Sequence, residues 1–458
     1  MRTQKCRSRS VSGLILAAIN QNFLKFIICI KTNLLGFNIM DKYLIKGGRK
    51  LDGVVEVDCA KNAVLPIISA SLLTEEEIVL HNLPQIVDVF KMLDIIKSLG
   101  GNVKLEDNNR TVIIKNDNIK KYRIPSLLTS EIRSSIFLLG PLLSKFKKAK
   151  LAYPGGCEIG SRPIDLHLFG LRELGVKIDE GYGYINCDGA NMRNGFIHLD
   201  FPSVGATENL MMASVLTQGE TIIHNCAKEP EIVDLASFIN AMGGKVSGAG
   251  TSTIIVRGVQ GLHGVEYTPV PDRIVAGTLL IAAASTRGRI ELVNANYEHI
   301  LSLVNKLKKS GCNITKNGGK IILTSEQRPK AFSFDTQPYP GFPTDLQPQL
   351  TVLQAIAKGT SLVTENLFET RFKHLAELIK MGADITSRDR TAVIRGVSKL
   401  YGAEICAYDL RGGAALTIAG MVAKGETIIN NINYIDRGYE SFESKLNMLG
   451  ADIIRIKQ

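Results

Sequence analysis

The sequence predicts an α/β fold built from repeated units and divided into two similar domains. Three observations carry this expectation. A helical stretch ends in a small-residue turn six times, at Gly100, Gly175, Gly243, Gly311, Gly382 and Gly450, and these glycines lie 75, 68, 68, 71 and 68 residues apart. Each turn is followed by strand-like alternation, as in Gly101-Asn102-Val103-Lys104-Leu105 and Ala383-Asp384-Ile385. A short strand precedes the helix, as at residues 77–82, 221–225, 290–294 and 427–431. The unit is therefore strand, helix, glycine C-cap and strand, with further elements between copies.

In chain order, residues 54–57 read as a strand and 63–73 as an apolar helix entered through Lys61-Asn62. A lysine at a helix N-terminus opposes the macrodipole unless an anion sits there too. The helix before Gly100 is amphipathic. Ile86, Phe90, Leu93 and Ile96 fall at helical spacing, which assigns Asp88, Lys91, Asp94 and Lys97 to the solvated side. Residues 153–163 hold three glycines and two prolines, so they continue neither a helix nor a central strand. That loop is either a turn holding an inert cysteine or a working loop around the Cys157 thiol. One repeat cannot bury its own apolar face, so the copies must pack together. Three copies and three is the natural division, with the proline-bearing stretch 263–271 crossing between the halves. Two α/β domains facing each other make a cleft, the usual place for a ligand.

With 45% hydrophobic and 22% charged residues, the composition is that of a globular protein. The eight cysteines are scattered without a CxxC pair and the seven histidines without an HxxxH spacing. This pattern argues against a disulfide framework and a metal site and fits a reducing cytoplasm. The net charge is +11, but six of the cations and no acid lie in residues 1–39, leaving +5 on the rest. That is a mild bias towards anionic ligands and a poor case for nucleic acid. The apolar patch at 11–19 is too short for a membrane span and lacks a small-x-small cleavage site. The simplest reading starts the fold at Met40, with 1–39 an N-terminal extension outside it.

Charged groups interrupt the repeats. Arg133 stands in a mainly apolar run, as a partly buried ion pair or a ligand contact. Asp345 opens a helix after a proline turn, where capping alone would account for it. Asp409-Leu410-Arg411 and Asp436-Arg437 set arginines beside carboxylates, as surface pairs do. Glu229, Glu231 and Asp234 surround a helix start, where the dipole favours them. Together they supply several cations, a free thiol and a candidate base spread over both halves, which suits a cleft enzyme for multiply anionic substrates. At about 4 Å and an effective dielectric near 20, each charge pair contributes roughly 4 kcal/mol before desolvation. A thiol near such cations has a lowered pKa.

Read in order, Lys61-Asn62, Pro154-Gly155-Gly156-Cys157 with Arg162-Pro163, Pro202-Ser203-Val204-Gly205-Ala206-Thr207, Pro271-Asp272-Arg273, Phe342-Pro343-Thr344-Asp345-Leu346-Gln347, Glu369-Thr370-Arg371-Phe372 and Asp436-Arg437-Gly438-Tyr439-Glu440 resemble the enolpyruvyl transferase family, specifically its UDP-N-acetylglucosamine 1-carboxyvinyltransferases. The resemblance runs from Met40 to the C-terminus. It implies a two-domain inverse α/β barrel with three units per domain, divided as 61–270 and as 40–60 with 271–458. It also implies transfer of the enolpyruvyl group of phosphoenolpyruvate to the 3′-hydroxyl of UDP-N-acetylglucosamine, with loss of phosphate and no cofactor or metal. By the same resemblance Cys157 is the general acid and the residue alkylated by fosfomycin. Lys61, Arg162 and Arg437 grip phosphoenolpyruvate with Asn62 beside them, and Asp345 is the base facing the sugar hydroxyl. Arg133, Arg162, Pro163, Ile164, Asp165, Leu166, Ser203, Val204, Gly205 and Leu367 contact the nucleotide sugar, and Arg371 and Arg411 line the same cleft. Phe201 departs from the family, some members of which carry a lysine there, and residues 1–39 have no counterpart.

The chemistry suits these side chains. Adding an alcohol across an enol ether needs one proton delivered to carbon and one removed from oxygen, then phosphate expulsion. Fixed cations stabilise the oxygens whose charge changes. The alternatives are a shikimate-pathway enolpyruvyl transferase, a non-catalytic nucleotide-sugar-binding paralogue that regulates the pathway and, least favoured, a nucleic-acid-binding protein.

Overall fold

The computed structural model describes residues 41–155 and 164–457. The expectations placed on residues 1–39, Met40, Cys157, Arg162 and Pro163 therefore lie outside the described residues. All six repeat glycines adopt positive φ, between 81° and 112°. Side chains disfavour that region, so the six turns close their helices in the way glycine permits.

The first unit shows the pattern: strand Ile78–Leu80, helix Val87–Leu99, then strands Asn102–Glu106 and Thr111–Lys115. The described residues form five four-stranded sheets and one three-stranded sheet, none of them closed into a barrel. Each four-stranded sheet joins two antiparallel pairs to one parallel pair, and in two of the five the parallel strand comes from far along the chain. Val265–Tyr267 lies parallel to Ile78–Leu80 in this way. The first strand among the described residues, Lys42–Lys46, enters the last sheet antiparallel to both neighbours, with Tyr43 opposite Ile429 and Arg455. Asp52–Glu56 runs parallel to Arg289–Val293.

Between copies stand helices that are not amphipathic. Arg273–Thr286, Gln347–Ala355 and Leu410–Val422 are buried almost all round and pack on one another. The strands around them bury one face only, as in Arg289–Val293, where Ile290 and Leu292 point inward. Helices are thus inside and sheets outside, the inverse of a strand-lined barrel. The buried apolar residues form two clusters. One gathers residues from Cys59 to Val256, the other Tyr43–Val57 together with Ile274–Ile453.

The chain passes twice between the clusters, and the two passages are strapped together. Ala60 N–H donates to Val270 O at 2.7 Å, Asp272 N–H to Asp58 O at 2.8 Å, and the Cys59 thiol to Pro269 O at 3.1 Å. No helix among the described residues is long and apolar enough to cross a membrane.

Candidate active site

Lys61 is the first residue of helix Lys61–Ala70, and its backbone N–H donates to Asp272 Oδ2 at 3.1 Å. Through Oδ1, Asp272 also caps its own helix by accepting from Ile274 and Val275. One carboxylate therefore serves two helix N-termini and supplies the anion a lysine-opened helix wants. Lys61 Nζ meets Asp88 Oδ2 at 2.7 Å. Arg437 forks onto the same carboxylate, Nε to Oδ1 at 3.0 Å and Nη2 to Oδ2 at 3.2 Å.

Asp88 is 3% exposed, which corrects its assignment to the solvated face of the helix. Val87 takes the outward position instead. The reason is non-local: two cations from elsewhere in the chain hold the carboxylate inward. Burial works to raise the Asp88 carboxyl, but Lys61 and Arg437 outweigh it and hold the group below the usual range. Burial likewise pulls the Lys61 ammonium below its ordinary value. Asp88 opposes that pull, and Arg411 and Arg437 add to it.

A second constellation surrounds Asp345, in the short turn Thr344–Leu346. Its Oδ1 accepts from Arg371 Nη2 at 2.7 Å and its Oδ2 from Arg411 Nη2 at 2.9 Å. Both arginines are buried, so Arg411 is no surface ion pair. Its guanidinium also lies 5.4 Å from the Tyr439 ring centroid. Asp409 caps the helix Leu410–Val422 by accepting from the Arg411 and Gly412 N–H groups, which fixes where the Arg411 side chain starts.

Glu365 was not singled out by sequence, yet it orders this corner. It accepts from the hydroxyls of Thr336 and Thr344 and from the N–H groups of Leu367 and Phe368, at 2.9 to 3.1 Å. Asp345 and Leu367 are thereby tied to one buried carboxylate.

The two constellations form one charged seam. Arg411 acts through its field on Lys61 and Asp272, and Asp345 acts on Arg273. Arg273 is forked to Glu231, Nε lying 2.9 and 3.2 Å from the two carboxylate oxygens. Glu231 thus does more than favour a helix dipole, and again the partner is distant in sequence. Nearby Glu208 is fully buried, and neither of its oxygens has a hydrogen-bond partner among the described residues. Burial, with Glu231 and Glu229, pushes its pKa well up, so the neutral acid is favoured.

A third group gathers around His167. Arg133 opens the turn Arg133–Leu138 and acts on the ring, whose pKa falls to about 3, chiefly through burial. Asn209 Nδ2 donates to His167 Nδ1 at 2.9 Å. A Cβ at Gly205 would stand 3.0 Å from the ring, so Ser203-Val204-Gly205 runs close against it. Ser203 caps helix Val204–Ser214 by accepting from Ala206 N–H at 3.3 Å. Ile164 and Leu166 pack half-buried on the first core, while Asp165 is exposed at the start of Asp165–Glu173. Asn62 is half-buried beside Lys61, and Phe201 is exposed.

The loop that bears Cys157 is described only as far as Gly155, where a Cβ would stand 2.0 Å from Ser130 O and so demands glycine. Burial pushes the thiols of Cys59 and Cys187 up to about 12 and that of Cys226 to about 11, which makes them poor nucleophiles.

Residues 45–446 match the EPSP synthase (3-phosphoshikimate 1-carboxyvinyltransferase) family, and the chain belongs to that family. Curated relatives narrow the comparison. The chain is 52% identical over 418 residues to UDP-N-acetylglucosamine 1-carboxyvinyltransferase 2 of Caldanaerobacter subterraneus subsp. tengcongensis, covering 91% of this chain and all of the relative. It is 49% identical to UDP-N-acetylglucosamine 1-carboxyvinyltransferase 1 of Symbiobacterium thermophilum, covering 91% and 95%. Among solved structures, the enolpyruvyl transferase NikO from Streptomyces tendae superposes with a TM-score of 0.82 at 21% identity, covering 92% of this chain and 99% of that one. An EPSP synthase from Acinetobacter baumannii gives 0.70 at 19%, covering 91% and 100%, which shows the shared fold.

Proposed function

We infer that the chain transfers the enolpyruvyl group of phosphoenolpyruvate to the 3′-hydroxyl of UDP-N-acetylglucosamine, releasing phosphate in the first committed step of peptidoglycan synthesis. The observation that carries this is the charged seam, with cations at Lys61 and Arg437 and a held carboxylate at Asp345. It stands in a chain about half identical to named UDP-N-acetylglucosamine 1-carboxyvinyltransferases. The site of action is the cytoplasm, where both substrates belong.

On this reading Lys61, Arg162 and Arg437 bind the phosphate and carboxylate of phosphoenolpyruvate, with Asn62 beside them. Cys157 delivers a proton to the methylene carbon while Asp345 takes the proton of the sugar hydroxyl. The alkoxide oxygen bonds to the former enol carbon and gives a tetrahedral intermediate. Loss of a proton from the methyl group and departure of phosphate restore the double bond. The cations stabilise the oxygens on which charge develops. Arg133, Arg162, Pro163, Ile164, Asp165, Leu166, Ser203, Val204, Gly205 and Leu367 hold the nucleotide sugar, with Arg371 and Arg411 supporting the base. The high pKa of the buried thiols at Cys59, Cys187 and Cys226 sets those three aside as the acting thiol. The two domains are 61–270 and 40–60 with 271–458, joined at the strapped passages.

Phosphate release from phosphoenolpyruvate should require UDP-N-acetylglucosamine, and fosfomycin should add one covalent mass at Cys157. Release driven by shikimate 3-phosphate instead would overturn the substrate assignment. Tight UDP-N-acetylglucosamine binding without any release would favour the regulatory paralogue.

A further inference from the structure

We propose that Asp88 is a positioning residue for phosphoenolpyruvate. Its carboxylate keeps the Lys61 amine cationic and fixes it against Arg437, so that two cations from different parts of the chain act as one anion grip. The proposal rests on the reading of Lys61 and Arg437 as phosphoenolpyruvate ligands.

The geometry is specific. Asp88 Oδ2 lies 2.7 Å from Lys61 Nζ and 3.2 Å from Arg437 Nη2, while Oδ1 accepts from Arg437 Nε at 3.0 Å. A single carboxylate therefore bridges two like charges, offsets their repulsion and sets the angle of the guanidinium plane. The side chain of Asp88 is 5% exposed, whereas those of Lys61 and Arg437 are 12% and 21% exposed. The carboxylate is thus the most deeply buried of the three groups.

The other groups around Lys61 do not replace it. Asp272 meets the backbone N–H of Lys61, and its remaining oxygen caps its own helix. Asp58 is taken by Arg110 and Lys445, and Glu440 by Arg110 and the Gln85 N–H. Cys59 donates its thiol proton to a carbonyl. Arg411 and Arg437 are cations that work against a charged lysine, as burial does. Among the described residues, Asp88 alone meets Lys61 Nζ as an ion pair. An amine so placed, without its carboxylate, gives up its proton more readily.

The test is the pH profile of kcat/KM for phosphoenolpyruvate, read by phosphate release at saturating UDP-N-acetylglucosamine. Asp88→Asn should move the alkaline limb to lower pH by about one unit or more, with KM for UDP-N-acetylglucosamine held within about twofold. Adding Lys61→Arg to Asp88→Asn should abolish that displaced limb, because a guanidinium keeps its proton. A folded Asp88→Asn enzyme whose alkaline limb has not moved would overturn the proposal. If Asp88→Asn does not fold, Asp88→Glu decides. Its retained charge should leave the limb in place while a longer arm raises KM for phosphoenolpyruvate severalfold, and a displaced limb there would contradict the account. Lys61→Ala separates the two levels. An unchanged KM for phosphoenolpyruvate would remove the underlying reading and this proposal with it. A raised KM together with an unmoved Asp88→Asn limb would remove this proposal alone.

Discussion

The two constellations on the seam have the same parts in opposite order. Asp88 lies between Lys61 and Arg437 with its side chain 5% exposed, while the cations are 12% and 21% exposed. Asp345 lies between Arg371 and Arg411 with its side chain 23% exposed, and the arginines are 1% and 4% exposed. In each trio a carboxylate is held by two cations, but the member facing outward differs. The first trio offers positive charge and the second offers a carboxylate. An anionic substrate and a hydroxyl that must lose its proton call for that pair of surfaces. Charge alone would have made the trios equivalent. Depth of burial distinguishes them.

The largest break in this comparison comes from the second trio. Asp345→Asn keeps the shape and removes the proton acceptor, so kcat should fall about 10³-fold with little change in either KM. Next comes the first trio. Arg437→Lys loses the planar fork onto Asp88, and kcat/KM for phosphoenolpyruvate should fall roughly 10- to 100-fold, mostly through KM. Thr344→Val then tests the support behind Asp345. It leaves Glu365 Oε2 without its hydroxyl donor. A loss of about 1 kcal/mol in unfolding free energy and a few-fold lower kcat are expected, checked by urea unfolding and steady-state kinetics.

A further effect, on stability and not on turnover, lies outside both trios, at His167. Its folded pKa of about 3 lies below the ordinary 6.5, so the fold favours the neutral ring. Below pH 6.5 the unfolded chain binds the extra proton, and stability falls as pH drops towards 3. Between pH 6 and pH 4.5 the wild-type chain should lose about 2 kcal/mol through this group, a slope missing from His167→Gln in urea unfolding at each pH.

Much of the fold was legible because its signals are local. The turn glycines Gly100 to Gly450 announce themselves by spacing, and each proved to need positive φ. The inner helices were harder. Leu410–Val422 is buried nearly all round, so no amphipathic period marks it. Nor does any local pattern announce that Lys42–Lys46 completes a sheet with Glu426–Asn430 and Ile453–Ile456.

Within the candidate site, Lys61, Asp345, Arg411 and Arg437 stood out as charges where packing did not ask for them. Their partners did not. Asp88 fell on the polar side of a helical wheel, and one of the two cations that hold it inward lies 349 positions away. Glu365 and Glu208 look like ordinary polar residues until burial is known. Local periodicity locates the elements, while charge pairing across the fold decides which side chains are held ready.

Function turns on which member of each trio meets substrate. Steady-state phosphate release by Lys61→Ala and Asp345→Asn, measured side by side over both substrates, tests that most directly. The expected result is a raised KM for phosphoenolpyruvate in Lys61→Ala and a collapsed kcat with near-normal KM values in Asp345→Asn. The reverse pattern, or an Asp345→Asn enzyme that turns over normally, would contradict it.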